Sequence, residues 1–217
     1  MKDQFSEIAR RTRRWKFEDG ITELTLGGIL FLSAMYFLLQ LIPALSPTLI
    51  FSILTLGFIV TLFVPNLLKK RYVYPRSGYV KYTETTPKGV WKPLLLGALA
   101  GILMAALLYL VLIYDHDHAF SWITTLVAVF IGLVWLIGNT YYRIPRLSFL
   151  GLFSMVVGVI LSPLVLGSEF TRGEFIGGIL LATYFLLMAV FLFISGGLAF
   201  RAFLRSNPLP KESPDEQ

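Results

Sequence analysis

The chain has 217 residues, is 56% hydrophobic and only 15% charged, whereas a soluble domain carries about 25% charged residues. A helical membrane span takes roughly 20 apolar residues, so this composition reads as one membrane domain with no room for a separate soluble unit. The absence of cysteine excludes disulfides, thiolate catalysis and Cys-based metal sites, and leaves the redox compartment open.

The first eighteen residues carry Phe5, Ile8, Thr12 and Trp15 at helical spacing, with Arg10, Arg11, Arg13, Arg14 and Lys16 over much of the remaining surface. That pattern predicts an amphipathic helix lying on an anionic leaflet. No short apolar stretch followed by a cleavage-like site occurs here, so a signal peptide is not expected.

Six hydrophobic segments follow. The first runs from Ile21 to Ile42 and stops at Pro43. Asp19 and Glu23 near its start are four apart and share a helix face, where they either complement the helix dipole and meet nearby arginines or, if burial separates their pKa values, form a pair for acid–base chemistry. The second runs from Pro47 to Leu68, with Ser46 placed to cap it and Pro47 at the first helical position. The third spans Pro93 to Tyr114, the fourth Ser121 to Tyr141 and the fifth Leu147 to Gly167. The sixth, Glu174 to Phe200, opens on a capping-box pattern from Thr171 to Glu174 and is long enough to tilt, or to bend at Gly196-Gly197.

Between the second and third segments lies a basic, tyrosine-rich loop, 69–92, holding Arg71, Tyr72, Tyr74, Arg76, Tyr79, Lys81 and Tyr82. Tyrosines flanking Pro75-Arg-Ser-Gly78 predict two short strands around a turn. Tyr72 to Val80 also aligns without gaps on Tyr142 to Leu150, a weak sign of internal repetition. Gly97, Gly101 and Ala105, and likewise Ser154, Gly158 and Ser162, form four-residue series of small side chains that let helices approach closely. They serve either the bundle itself or a homo-oligomer.

Eighteen of the nineteen lysines and arginines fall on one side of this six-span pattern, leaving Arg172 alone on the other. Basic loops face the cytoplasm. The expected architecture is therefore an all-α bundle of six transmembrane helices, both termini cytoplasmic, in a prokaryotic plasma membrane. The net charge of +6 sits beside hydrophobic spans, where anionic lipid headgroups are nearer partners than nucleic acid.

Away from their ends the six segments contain no Asp, Glu, Lys, Arg or His, which argues against an ion-coupled pump with a charged midplane site. Asp115, His116, Asp117 and His118 form the one outer-side cluster with metal-ligating side chains, although four consecutive residues chelate one ion poorly. No P-loop, zinc-protease or nucleophile-elbow motif occurs, and no cofactor is expected. The leading expectation is a non-enzymatic accessory or scaffolding protein whose basic-aromatic face (Arg10, Arg11, Arg13, Arg14, Trp15, Arg71, Tyr72, Tyr74, Arg76, Tyr79, Lys81, Tyr82) contacts lipid or a cytoplasmic protein. A small transporter or channel for an uncharged or lipophilic solute, and a membrane enzyme with an outer metal site, are the alternatives.

Overall fold

The structure, a computed structural model, describes residues 18–77, 91–114, 119–142, 144–167 and 174–208. The described residues form helices and their connections, with no strand among them. In chain order the helices are α1 (Ile21–Leu39), α2 (Pro47–Leu68), a π-helical segment (Lys69–Val73), α3 (Tyr74–Ser77), α4 (Trp91–Tyr114), α5 (Ala119–Tyr142), α6 (Pro145–Ile160), α7 (Pro163–Leu166) and α8 (Glu174–Ser206). Four helical stretches are long and apolar enough to cross a membrane: Ile21–Leu39, Pro47–Arg76, Ser121–Asn139 and Phe175–Ser206.

α8 is the hub. It packs most extensively along α1, then against α5 and α6, while α2 lies on α1 and α4 lies on α5. Its inward face supplies Leu181, Tyr184 and Met188 to a core shared with Ala128 of α5 and Val157 of α6. Leu192 continues that face into a second cluster with Ile144, Leu147 and Leu150. Residues 181, 184, 188 and 192 recur at three- and four-residue intervals, which is one stripe of an α-helix.

The outer helices present the opposite surface. Phe51, Leu56, Phe63 and Leu67 on α2, and Ile102, Leu103 and Tyr109 on α4, are all more than half exposed. A water-soluble monomer rarely shows apolar patches of that extent, whereas hydrocarbon solvates them without penalty. This surface is compatible with an integral membrane protein.

Helix ends follow local chemistry. Ser46 Oγ accepts the Leu49 N–H at 3.3 Å and Pro47 occupies the first helical position. α1 stops at Leu39, three residues short of the expected Ile42, and residues 40–46 turn toward α2. α6 stops at Ile160 rather than continuing to Gly167. The cause is Pro163: the residue before a proline is pushed out of the helical region, and Ser162 is extended at φ −76°, ψ 155°. α8 instead runs unbroken past Phe200 to Ser206 and passes Gly196-Gly197 as helix.

The tyrosine-rich segment corrects the sequence expectation. Residues 69–77 are helical, so the first predicted strand does not form. Tyr74 N–H donates to Lys69 O, a π-type bond, and this wider turn lies immediately before Pro75, which has no N–H for the helical ladder. Tyr79, Lys81 and Tyr82, the second half of the supposed hairpin, lie outside the described residues. The proposed repeat also loses support: Pro75 sits within a continuous helical run, whereas Pro145 opens α6 after the extended residue Ile144.

α5 and α6 cross at near backbone contact. A Cβ on Gly151 would stand 2.7 Å from Gly132 O, and one on Gly132 would stand 2.8 Å from Gly151 O. A Cβ on Gly158 would collide with the Ala128 methyl, and Ser154 lies on the same face of α6, buried. The other small-residue series behaves differently: Gly101 and Ala105 on α4 face outward, with nothing within 4 Å of a Cβ on Gly101. Gly151→Ala should therefore lower stability in detergent by about 1–3 kcal/mol, the usual cost of overpacking. Gly101→Ala should be neutral or stabilising by roughly 0.5–1 kcal/mol. Thermal unfolding followed by helical circular dichroism distinguishes the two.

Candidate functional site: the charged end of the bundle

Two buried carboxylates and the cations that meet them come together where α1 begins. Gly20 precedes α1 with φ +69°, a backbone conformation suited to glycine. A Cβ there would collide with Gly196 O and approach Ala199 Cβ at 2.8 Å. The start of α1 is thus pressed against the backbone of α8, and the carboxylates on either side of Gly20 are carried into the protein. Asp19 is 3% exposed and Glu23 is 1% exposed.

Each carboxylate meets a cation from a different part of the chain. Asp19 Oδ2 is 3.4 Å from Lys69 Nζ in the π turn, and Asp19 Oδ1 accepts the Ile21 N–H at 3.0 Å. Glu23 Oε1 lies 2.9 Å from Arg146 Nε at the start of α6. That contact is ionic but off the hydrogen-bond axis, and Glu23 Oε2 has no hydrogen-bond donor among the described residues. Burial raises the Asp19 pKa above its usual value, against the opposing pull of Lys69 and the Ile21 N–H. A raised carboxylate pKa means that the folded state holds the proton more tightly than the unfolded state. The contribution of Asp19 to stability is therefore greatest at low pH and declines as pH rises through its folded pKa.

A third basic residue closes the same end. Arg76 Nη1 donates to Leu204 O at 3.1 Å and to Asn207 O at 3.0 Å. Carbonyls in the last turn of a helix lack partners within it, and a cation there also complements the dipole. Ile21, Val73 and Phe203 form a small core beneath this cap, with Tyr74 packed against it. Tyr72 meets Phe200 edge-on, with ring centroids 6.1 Å apart, and Arg71 lies over the Tyr72 ring at 5.7 Å.

The sequence-derived contact set is thus divided. Arg76 and Tyr74 are engaged in holding the end of α8, while Arg71 and Tyr72 remain exposed. Arg10, Arg11, Arg13, Arg14 and Trp15 lie outside the described residues, as do Asp115, His116, Asp117 and His118. Gly97 lies within α4, and Gly101 and Ala105 face away from the bundle. Among the described residues no group of three metal-ligating side chains comes together.

Two arrangements have little signature in sequence. The ion pairs join residues 50 and 123 positions apart, and composition does not show such pairing. The other is a buried polar seam inside the bundle. Ser154 Oγ donates to Ala128 O at 2.7 Å and shares a hydrogen bond with Tyr184 Oη at 2.8 Å. Thr125 Oγ1 adds a bond to Gly158 O at 3.2 Å. The available signal was a mid-span tyrosine and serine, each of which needs a partner when buried.

Chemically, the charged end is a clamp. Glu23 is closed to solvent, so an acid–base role toward a bound substrate lacks access, whereas pairing across α1, the π turn and α6 ties three chain segments together. No family model matches the chain, and no curated protein or solved structure does so either.

Removing one member of a buried pair costs about 3–5 kcal/mol when the other is left as an uncompensated charge. Glu23 is 1% exposed and Arg146 is 27% exposed, so the two halves are unequal. Arg146→Met should destabilise more than Glu23→Gln, since only the arginine can recover hydration. The double variant should be more stable than Arg146→Met alone. Chemical denaturation in mixed micelles measures the cycle, and equal single-variant losses would contradict the asymmetry.

Proposed function

We propose that the chain is a non-enzymatic accessory or scaffolding protein of a prokaryotic plasma membrane. In this reading six transmembrane helices place both termini in the cytoplasm. α4 and the α6–α7 segment supply the fifth and sixth crossings beside the four long apolar helices. The basic end then faces the anionic leaflet, following the distribution of lysine and arginine.

The observation that carries the reading is the contrast between interior and basic end. Tyr184, Met188, Ala189 and Leu192 of the hub helix are fully buried, and Ser154 satisfies the Tyr184 hydroxyl. A layer filled in this way supports a fixed framework over a hydrated solute path. Lys70, Arg71, Arg201 and Arg205, in contrast, are exposed at one end. They offer cationic groups to lipid headgroups or to an acidic protein surface.

The cysteine-free sequence makes the test direct. Single cysteines at positions 70 and 201 should react with an impermeant maleimide only from the cytoplasmic side, and one at position 116 only from the outside. Crosslinking in native membranes should recover a cytoplasmic partner. Lys70→Gln and Arg71→Gln, combined with neutral residues at 79–82, should greatly reduce that recovery. Reversed labelling would overturn the orientation. No partner, or undiminished recovery, would overturn the scaffold.

A further inference from the structure

α1 and α2 are tightly packed along one part of their contact and separate along another. A Cβ on Gly28 would stand 2.8 Å from Thr61 Cγ2, and one on Gly57 would stand 2.9 Å from Leu32 Cδ2. Toward the charged end the helices part, and a cleft of about 270 Å³ opens between them. Its walls are Ile21, Thr22, Thr25 and Leu26 from α1, with Leu62 and Pro65 from α2 and Lys69 at the start of the π turn. Along α1 this stretch is roughly 8 Å long at 1.5 Å per residue.

The cleft combines an apolar body with a cation. Thr25 directs its hydroxyl to Ile21 O at 2.8 Å, so that polar group is already satisfied within the helix. Lys69 is the one charged group in the lining. It is held by Asp19 at 3.4 Å and is still 20% exposed. An ammonium has three donors, so one carboxylate contact leaves capacity for a second anion. Lys70 and Arg71 follow it and are exposed, giving this turn two more positive charges than the single Asp19 carboxylate offsets. The complementary molecule has an apolar chain and an anionic headgroup.

We propose that the α1–α2 cleft binds one anionic phospholipid of the surrounding bilayer. Its acyl chain lies against Leu26, Leu62 and Pro65, and its phosphate meets Lys69 and Lys70. The lipid fills the wedge left where the helices part, and it couples headgroup charge to the Lys69–Asp19 contact at the start of α1. This inference rests on the reading of the chain as a membrane protein whose basic end faces an anionic leaflet.

The test reconstitutes the full chain in vesicles of equimolar phosphatidylglycerol and phosphatidylcholine with matched acyl chains. After gentle extraction, retained lipids are counted by native mass spectrometry. The wild type should keep one phosphatidylglycerol in preference to phosphatidylcholine. Asp19→Asn combined with Lys69→Gln removes the cation without exposing a bare buried carboxylate, and keeps an acceptor for the Ile21 N–H. This variant should lose about fivefold of the preference, the scale of one basic residue at an anionic surface. Thr25→Phe fills the cleft and should abolish retention of both lipids. Val156→Phe, on the exposed face of α6, should change nothing.

Equal retention of the two lipids by wild type would overturn the proposal. So would phosphatidylglycerol retention unchanged by Thr25→Phe, or selectivity unchanged by the charge-neutral pair. If Thr25→Phe does not fold, the charge-neutral pair decides alone. Failure of the underlying membrane orientation registers separately, as reversed maleimide labelling of the single-cysteine variants in native membranes.

Discussion

The backbone contact between Gly20 and Gly196 sets the geometry on which the charged end depends. It brings the first and last long helices together where any larger side chain would force them apart. Because Asp19 and Glu23 flank this contact, closing it buries two carboxylates, and burial of a charge is tolerated only when a partner comes with it. Lys69 and Arg146 fill that role from the π turn and from α6. Arg76 then secures the final turn of α8. Small residues, ion pairs and a helix cap thus form one chain of dependence, each making the next necessary.

The same logic accounts for the division of labour in the bundle. α8 carries a continuous buried stripe and contacts α1, α5 and α6. α2 and α4 are peripheral and keep apolar surfaces facing outward, which is compatible with lipid solvation. Where helices must touch closely, glycine and alanine remove bulk, as at Gly132, Gly151 and Gly158. Where polar groups lie inside, they pair with each other or with carbonyls, as Ser154 does with Tyr184 and Ala128. Hydrophobic matching alone does not distinguish helix–helix from helix–lipid contact in a membrane, so these close approaches and polar contacts are what give the bundle a specific arrangement.

Much of the helical content was legible from the chain because apolar length is a strong signal. Ser46-Pro47 marks the start of α2 through an identifiable cap. The errors came where one residue decides the backbone. Pro163 ends α6 early by driving Ser162 into an extended conformation. Pro75 reads as a turn signal, yet the π-helical turn before it lets the helix continue, and packing of Val73 against Ile21 and Phe203 favours that outcome. The charged clamp was half legible: both carboxylates stand at the start of α1, but Asp19 precedes the helix across the left-handed Gly20 rather than sharing a helix face with Glu23, and the identity of their cations follows from tertiary packing. Arg76 looked like a surface cation and is instead a cap, a role visible only once residue 204 lies beside it.

Held by its two buried ion pairs, the charged end is a closed, fixed clamp rather than a moving gate. Dipolar electron paramagnetic resonance between spin labels at positions 18 and 201, in vesicles, tests it most directly, since the chain has no other cysteine to label. A fixed clamp predicts one narrow interspin distance that stays the same when candidate solutes are added. Two interconverting distances, or a shift on solute addition, would contradict it.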